Sequence, residues 1–275
     1  MKRQKITARI LRILVYAAAC ITVGALLFVV GYILYKGVPH LSLKLFEWRY
    51  TTENLSLMPA LLNTILMTLL SLVIAVPLGV FAAIYLVEYA RRGSRIVRIV
   101  RMNAETLAGI PSIVYGLFGM LFFVGYLKLG FSMLSGALTL SIMILPVILR
   151  TSEEALISVP DSYREGSFGL GAGRLRTVFR VVLPDAVPGI LAGVILGVGR
   201  IVGETAALIY TAGTSSDTVS GILQSARTLS VHMYALSQEG LYIDQTYATA
   251  VVLLFIVIGI NAFSAALARK VGRVK

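Results

Sequence analysis

Two opposite charges, Arg200 and Glu204, interrupt an otherwise apolar stretch at residues 186–216. A charged side chain at bilayer depth costs roughly 2.5–3.5 kcal/mol on insertion scales, so such residues normally face a partner or a water-filled pathway. Because they stand four residues apart, we expect them to share one helix face and to pair. Arginine also presents paired donors that match a phosphate or a carboxylate. The stretch therefore predicts a structural ion pair or an anion pathway, and both interpretations stay open.

Other chemistry-bearing patterns are missing from the 275 residues. Cys20 is the only cysteine, and we expect His40 and His232 to be isolated, solvated side chains of outer loops, so no Cys/His metal site is predicted. No Gly-x-x-x-x-Gly-Lys-Ser/Thr phosphate loop is present. Without a visible nucleophile or metal cluster, a membrane enzyme is disfavoured. Without an internal repeat, so is a self-sufficient secondary transporter.

The elements that must position these charges are membrane helices. The chain is 57% hydrophobic and only 14% charged, against about 25% charged residues in soluble domains. Five charge-free runs reach the length of about 20 residues that a helix needs to cross the bilayer. They cover residues 13–35, 54–87, 106–127, 129–149 and 245–268. With 186–216, they predict an all-α polytopic membrane protein with six transmembrane helices.

The distribution of basic residues predicts the orientation. The net charge is +12, and Lys and Arg concentrate before the first span, after the last, and in alternate loops. This is the positive-inside pattern, which places both termini in the cytoplasm. The basic balance then reports topology and membrane lipid contacts, not a nucleic-acid partner. We expect an N-terminal anchor helix and outer segment at 1–58, a permease-like core at 59–270 and a basic cytoplasmic tail at 271–275.

A cytoplasmic segment at about residues 151–185 carries the first informative motif. Pro160-Asp161 predicts a helix start, three glycines from Gly169 to Gly173 predict a turn, and a second basic stretch runs to Pro184. The residues alone allow an ordinary loop that caps two spans. The spacing, however, resembles the EAA loop of binding-protein-dependent ABC importer permeases: Glu-Ala-Ala, three residues, Gly, nine residues, Ile-x-Leu-Pro. The corresponding residues are Glu165, Gly166, Ser167, Gly171, Val181, Leu183 and Pro184.

Two longer motifs resemble signatures of phosphate ABC permease subunits. One is Gly199–Ala206, which contains Arg200, Glu204 and Thr205. The other is Ala108–Gly119 in the third span, with its signature residues Pro111, Ser112, Tyr115 and Gly116. The shorter Gly240-Leu241-Tyr242 resembles the PstA-type subunit more than its PstC-type partner. The resemblance covers about residues 63–268.

This resemblance implies a type I ABC importer permease fold and an ATP-driven importer of inorganic phosphate in the cell membrane of a bacterium or archaeon. The implied partners are a second permease subunit of PstC type, a dimer of ATP-binding subunits of PstB type and an extracytoplasmic phosphate-binding protein of PstS type. The EAA loop would dock on the ATP-binding subunit, which would hold ATP and Mg²⁺, while this chain would bind no cofactor.

The resemblance also assigns expected roles. Arg200, Glu204 and Thr205 would line the substrate pathway, with Glu204 holding Arg200 in place and accepting a proton from phosphate. Sulfate carries no such proton at neutral pH, so an acceptor would select against it. The close alternative is a permease for another oxyanion, such as molybdate, sulfate or phosphonate.

Overall fold

A computed structural model of the chain describes residues 2–91 and 93–272, so that residues 273–275 of the expected basic tail lie outside the described part. The described residues form helices and loops. The α-helices are α1 (Lys2–Gly37), α2 (Met58–Ile84), α3 (Arg95–Ala108), α4 (Ser112–Gly119), α5 (Met133–Ile157), α6 (Asp161–Gly169), α7 (Arg174–Thr177), α8 (Leu183–Val202), α9 (Ala206–Ile209), α10 (Leu229–Glu239) and α11 (Ile243–Gly272). Three π-helical segments, Tyr85–Tyr89, Met120–Tyr126 and Val178–Val182, extend α2, α4 and α7.

The apolar runs of the sequence become membrane-spanning helices. Five helical stretches in the described part are long and apolar enough to cross a bilayer: Ile10–His40, Met58–Tyr89, Met133–Ile157, Arg174–Val202 and Ile243–Phe263. Counted as one broken span, α3 together with α4 and its π-helical extension makes a sixth. The predicted all-helical architecture with six crossings is therefore confirmed.

The third span differs from its predicted form. The sequence predicted one continuous helix over 106–127, but α3 and α4 meet at an angle of 102°. Pro111 causes the break, because its ring disfavours helical backbone at the preceding residue and it lacks an N–H. Pro111 itself is extended, with ψ 141°, and α4 begins at the next residue. The Tyr115 hydroxyl donates to the Leu107 carbonyl at 2.7 Å, which bonds α4 back to α3.

Helix α5 forms the centre of the bundle and is the most buried of the described spans. It packs between α2 and α8. Glycines permit the close approach, as is common between membrane helices. A Cβ atom on Gly79 of α2 would lie 2.7 Å from Ile148 of α5, and one on Gly193 of α8 would overlap the Thr151 side chain. These contacts fix the position of α8, which carries Arg200.

Helix α1 lies at the edge of the bundle. Its side chains are exposed throughout residues 10–29. It contacts α11 near its outer end, where the rings of Tyr32 and Tyr247 pack edge to face with centroids 5.9 Å apart. An apolar helix with no protein cover is suited to lipid, which agrees with the expected role of an anchor.

The loops fall into two groups at opposite ends of the bundle. At one end, Arg164 pairs with Glu88, which joins the two basic loops that the charge pattern assigned to the cytoplasm. At the other end, the guanidinium of Arg227 lies over the Tyr50 ring at 4.5 Å. The tertiary contacts therefore group the loops as the positive-inside pattern predicted.

Candidate functional site

The two signature motifs meet where α4 packs against α9. A Cβ atom added to Gly116 would lie 2.9 Å from the Cα atom of Ala207 and 3.2 Å from the carbonyl oxygen of Ala206. Only a residue without a side chain allows the two backbones to approach this closely. The structure thus brings the third-span motif into contact with the chain that directly follows Arg200 and Glu204.

Arg200 lies in the last turn of α8 and is half-buried. Among the hydrogen bonds and ion pairs of the described residues, none involves its guanidinium. Its charge lies within electrostatic range of Tyr115 on α4. A half-buried cation that forms no ion pair with the described residues is suited to attract an anionic ligand.

Glu204 does not pair with Arg200, and this prediction from the four-residue spacing was wrong. Helix α8 ends at Val202 and Gly203 caps it, so Glu204 lies beyond the helix, where the spacing no longer places side chains on one face. Its carboxylate instead accepts the Ala207 N–H at 3.1 Å. Its carbonyl oxygen accepts the Ser230 hydroxyl at 2.6 Å. Glu204 is therefore a buried residue that stabilises the turn between α8 and α9.

The other predicted site residues lie around this turn. Thr205 connects α8 to α9 and is half-buried, while Ser112 begins α4 and is also half-buried. Pro111 is exposed at the break of the third span, and Tyr115 is buried beneath it. The structure places Pro111, Ser112, Tyr115 and Gly116 on one side of the junction and Arg200 to Thr205 on the other.

A cavity of about 400 Å³ lies between α3, α5 and α8. Leu196 lines it, and this residue is one helical turn before Arg200, so the cavity is on the Arg200 side of α8. Its wall carries several charged residues, namely Arg101, Glu105, Arg150, Glu153 and Glu154. Arg101 pairs with the buried Glu153 and joins α3 to α5. Both arginines of the wall form ion pairs with its carboxylates, so neither is a free cation beside Arg200.

The predicted cytoplasmic motif forms a helical hairpin over residues 161–182, called here the cytoplasmic hairpin. Helix α6 ends at Gly169, and Gly171 adopts φ +82°, a left-handed conformation that glycine takes without strain. Glu165 and Gly166 are exposed on α6. The hydroxyls of Ser167 and Thr177 lie 2.8 Å apart and bond the two limbs of the hairpin.

The hairpin residues and the Arg200 residues form separate sites. Leu183 and Pro184 begin α8, whereas Arg200 lies near its other end. Seventeen residues at 1.5 Å per residue separate Leu183 from Arg200 by about 25 Å along the helix axis. One continuous helix, which contains Pro188, therefore connects the cytoplasmic hairpin to the candidate pathway.

One outer-loop residue, His232, is placed differently from its prediction. His232 was expected to be solvated, but it lies in α10 and is fully buried. Burial and then the nearby Arg227 charge lower the pKa of His232 to about 3, so the ring is neutral. Its two ring nitrogens have no hydrogen-bond partner among the described residues. The first four residues of α10, Leu229 to His232, are all buried, so His232 is covered because this end of the helix packs into the protein.

Several functional contacts were not predicted because their partners are far apart in the sequence. Ser230 bonds to Glu204 across 26 residues, Glu153 pairs with Arg101 across 52, and Glu88 pairs with Arg164 across 76. Asn63 bonds through its amide to the backbone at Asp217 and Val219 of the outer loop. The sequence signal for Glu88 was a single acidic residue directly before the arginine cluster that begins at Arg91.

Comparisons with known proteins agree on the family to which this chain belongs. Residues 75–273 match the family described as binding-protein-dependent transport system inner membrane component. The probable ABC transporter permease protein YqgI of Bacillus subtilis is 33% identical over 88% of this chain and 87% of its own length. The phosphate transport system permease protein PstA of Pasteurella multocida is 33% identical over 83% of this chain and 82% of its own length.

Solved structures share the fold. A bacterial alginate ABC transporter matches with a TM-score of 0.66 at 18% identity, covering 94% of this chain and 95% of the other. The methionine ABC transporter MetNI, in inward-facing conformations, matches with a TM-score of 0.59 at 21% identity over 76% of this chain and 91% of the other. These likenesses establish a type I ABC importer permease fold.

Proposed function

Because this chain belongs to the family of binding-protein-dependent transport system inner membrane components, we propose that it is a permease subunit of an ATP-driven importer of inorganic phosphate. We infer the substrate from the similarity to proteins named phosphate transport system permease PstA. These include the protein of Pasteurella multocida and that of Mycobacterium leprae, which is 35% identical over 75% of this chain. The chain is thus a transport subunit of a membrane complex, and ATP hydrolysis belongs to a separate subunit.

The proposed pathway runs past Arg200. Its half-buried guanidinium has no described ion-pair partner and presents donors that match phosphate oxygens. One arginine does not balance a dianion, so a second permease subunit of PstC type would supply further charge. Thr205 and Ser112 add hydroxyls at the junction of the two signature motifs. The cavity beside Leu196 carries three carboxylates and two arginines, so it offers no net positive charge to the anion.

The two ends of the molecule provide the surfaces at which the remaining partners would bind. The cytoplasmic hairpin, with Glu165, Gly166, Ser167 and Gly171, would dock on an ATP-binding subunit of PstB type, which holds ATP and Mg²⁺. At the outer end, residues 213–242 would form part of the mouth that receives phosphate from a binding protein of PstS type. Leu183 and Pro184 start the helix that links the hairpin to Arg200.

Glu204 retains a proposed role in selectivity. Its carboxylate is buried next to the pathway, and a carboxylate that accepts a proton from phosphate would disfavour sulfate. The test is transport by a reconstituted complex supplied in turn with phosphate, sulfate and molybdate. We expect wild type to prefer phosphate and Glu204→Gln, whose amide oxygen can still accept the Ala207 N–H, to lose part of that preference.

Three outcomes separate the alternatives. Uptake of phosphate well above the other anions supports the proposed substrate. Preferred uptake of sulfate or molybdate by wild type would replace phosphate with another oxyanion. A Glu204→Gln complex with unchanged phosphate-over-sulfate preference would show that Glu204 stabilises the α8–α9 turn without taking part in selection.

A further inference from the structure

Arg164 forms the most extensive polar contact of the cytoplasmic end. Its guanidinium donates from Nη2 to the Glu88 carboxylate at 2.7 Å and from Nε to the same oxygen at 3.1 Å. It also donates to the carbonyl oxygens of Val159 at 2.7 Å and Leu156 at 2.9 Å, at the end of α5. The side chains of Arg164 and Glu88 are 14% and 9% exposed, so the pair is largely withdrawn from water.

The contact joins the hairpin directly to α2, which otherwise receives its movement only by packing against α5 and α8. The cytoplasmic hairpin continues directly into α8 and follows α5 after three residues, so both helices are attached to it covalently. Helix α2 has no such attachment, since Glu88 precedes Arg164 by 76 residues. A movement of the hairpin therefore reaches α5 and α8 through the backbone, but it reaches α2 only through side-chain contacts.

Both limbs of the hairpin hold the same segment of α2. Arg164 of α6 binds Glu88, and the guanidinium of Arg174 on α7 lies over the ring of the adjacent Tyr89 at 5.8 Å. These two residues close the π-helical segment Tyr85–Tyr89. Such segments interrupt the regular hydrogen bonding of a helix and are frequent at functional sites. Movement of the hairpin can therefore act on α2 at this π-helical end.

We infer that the Arg164–Glu88 ion pair is the positioning contact through which movement of the cytoplasmic hairpin is transmitted to the second span. The inference rests on the proposed function, because it takes the hairpin to be the surface that an ATP-binding subunit moves. The buried, two-donor geometry makes the pair stiff, whereas an exposed pair would exchange with water. Helix α2 then moves together with α5 and α8, and the pathway beside Arg200 opens and closes as one unit.

The test uses the complete transporter, assembled with its partner subunits in a Cys20→Ser background. Spin labels are attached at Leu66→Cys on α2 and at Leu241→Cys outside α11, which are both exposed positions. We expect ATP to change the distance between the labels in wild type and to change it little in Glu88→Gln. Phosphate transported per ATP hydrolysed should fall about tenfold, within the usual range of coupling between sites. Arg164→Lys keeps the positive charge but loses the paired donors of the guanidinium. Its distance change and transport ratio should lie between those of wild type and Glu88→Gln.

Asp161→Asn is the matched control. Asp161 pairs with the same arginine at 3.3 Å, but it lies on the same helix and is exposed, so its loss leaves the bond to α2 intact. We expect this variant to keep both the ATP-driven distance change and the transport ratio. Equal losses in Asp161→Asn and Glu88→Gln would contradict the inference, because a general effect on α6 would then explain both.

Two further results would also overturn it. One is an assembled Glu88→Gln complex with the wild-type distance change and transport ratio, and the other is a wild-type complex without any ATP-driven change. The distance measurement needs no substrate. If the complex shows the normal distance change but takes up no phosphate, the result would count against the proposed substrate alone. A merely structural pair would lower the yield of assembled complex without altering the distance change or the transport ratio.

Discussion

Arg200 and Glu204 belong to one sequence motif but have different surroundings in the folded chain. Arg200 is half-buried at the end of α8 and has no described ion-pair partner, whereas Glu204 is buried and bonds to the turn that follows. The separation leaves the arginine charge available to a ligand. An internal ion pair would have neutralised it and weakened the attraction for an anion.

Replacement of Arg200 should identify its role directly. We expect Arg200→Ala to reduce phosphate uptake on the order of tenfold or more, because a charged hydrogen bond to the substrate is lost. The measurement is uptake by complexes that assemble normally in vesicles. Lys44→Ala is the control, since it removes an exposed basic residue of the outer segment. Wild-type uptake by Arg200→Ala would exclude an essential pathway role.

His232 should make the outer end sensitive to acid. Its pKa is about 3 in the folded protein and about 6.5 when solvated, so between these values only the unfolded state takes up the proton. Stability is therefore complete above about pH 6.5 and decreases as the pH falls towards 3, by up to roughly tenfold in the folding equilibrium per pH unit. We expect thermal unfolding to shift to lower temperature from pH 7 to pH 4.5.

The matched variants are His232→Phe and His40→Asn. The first removes the buried titrating group and keeps an aromatic ring against Tyr50, so its unfolding temperature should depend less on pH. The second changes an exposed histidine and should keep the wild-type dependence. An identical pH dependence in wild type and His232→Phe would show that other groups control acid stability.

At the scale of elements, the broken third span and the interrupted fifth span fit together. Pro111 ends one helix and starts another, while Gly203 ends α8 before α9 begins. The two breaks face each other where Gly116 contacts Ala207. Non-helical backbone at membrane depth is tolerated where it is buried in protein or lines a water-filled cavity. Their meeting therefore supports a pathway at this junction more strongly than either motif alone.

The close contact of α4 and α9 makes Gly116 intolerant of substitution. In Gly116→Ala the added methyl group would lie 2.9 Å from a backbone atom, so the helices must separate. We expect a loss of about 1–3 kcal/mol of stability, which is typical of overpacking. This loss of stability can be measured by unfolding the purified subunit in detergent. Gly125→Ala on the same span is the control, since its nearest contact is 3.4 Å, and equal stability of the two variants would contradict this packing.

At the scale of the whole molecule, the bundle connects a cytoplasmic hairpin to a pathway about 25 Å away through the single helix α8. Helices α5 and α2 pack beside it, and Arg164 binds both to the hairpin. A rigid connection of this kind suits a protein in which ATP is hydrolysed by another subunit and only movement is transmitted.

The orientation can be tested with single cysteines in the Cys20→Ser background. Phe168→Cys lies exposed on the cytoplasmic hairpin, and Thr218→Cys lies exposed in the outer loop. We expect a membrane-impermeant maleimide to label Thr218→Cys in intact cells and Phe168→Cys only after permeabilisation. Labelling of Phe168→Cys from outside would reverse the topology assigned from the basic residues.

The number of spans, their orientation and the two signature motifs could be predicted from the sequence. A helix needs about 20 apolar residues to cross the hydrocarbon core of the bilayer, and the bias of basic residues orients the loops. Both properties therefore depend on the local sequence. The family and the hairpin with its left-handed Gly171 were accessible for the same reason: spacing along the chain defines them.

Only the tertiary structure decided which groups meet. The four-residue rule predicted an Arg200–Glu204 pair, but Gly203 ends the helix between them, and the helix end depends on how the chain turns towards α9 and Ser230. The burial of His232 and the pairing of Glu88 with Arg164 likewise depend on segments that are distant in the sequence. Local patterns specify helices, but burial and pairing arise when those helices pack. Packing therefore determined the surroundings of Arg200, the proposed anion site, and its connection to the hairpin.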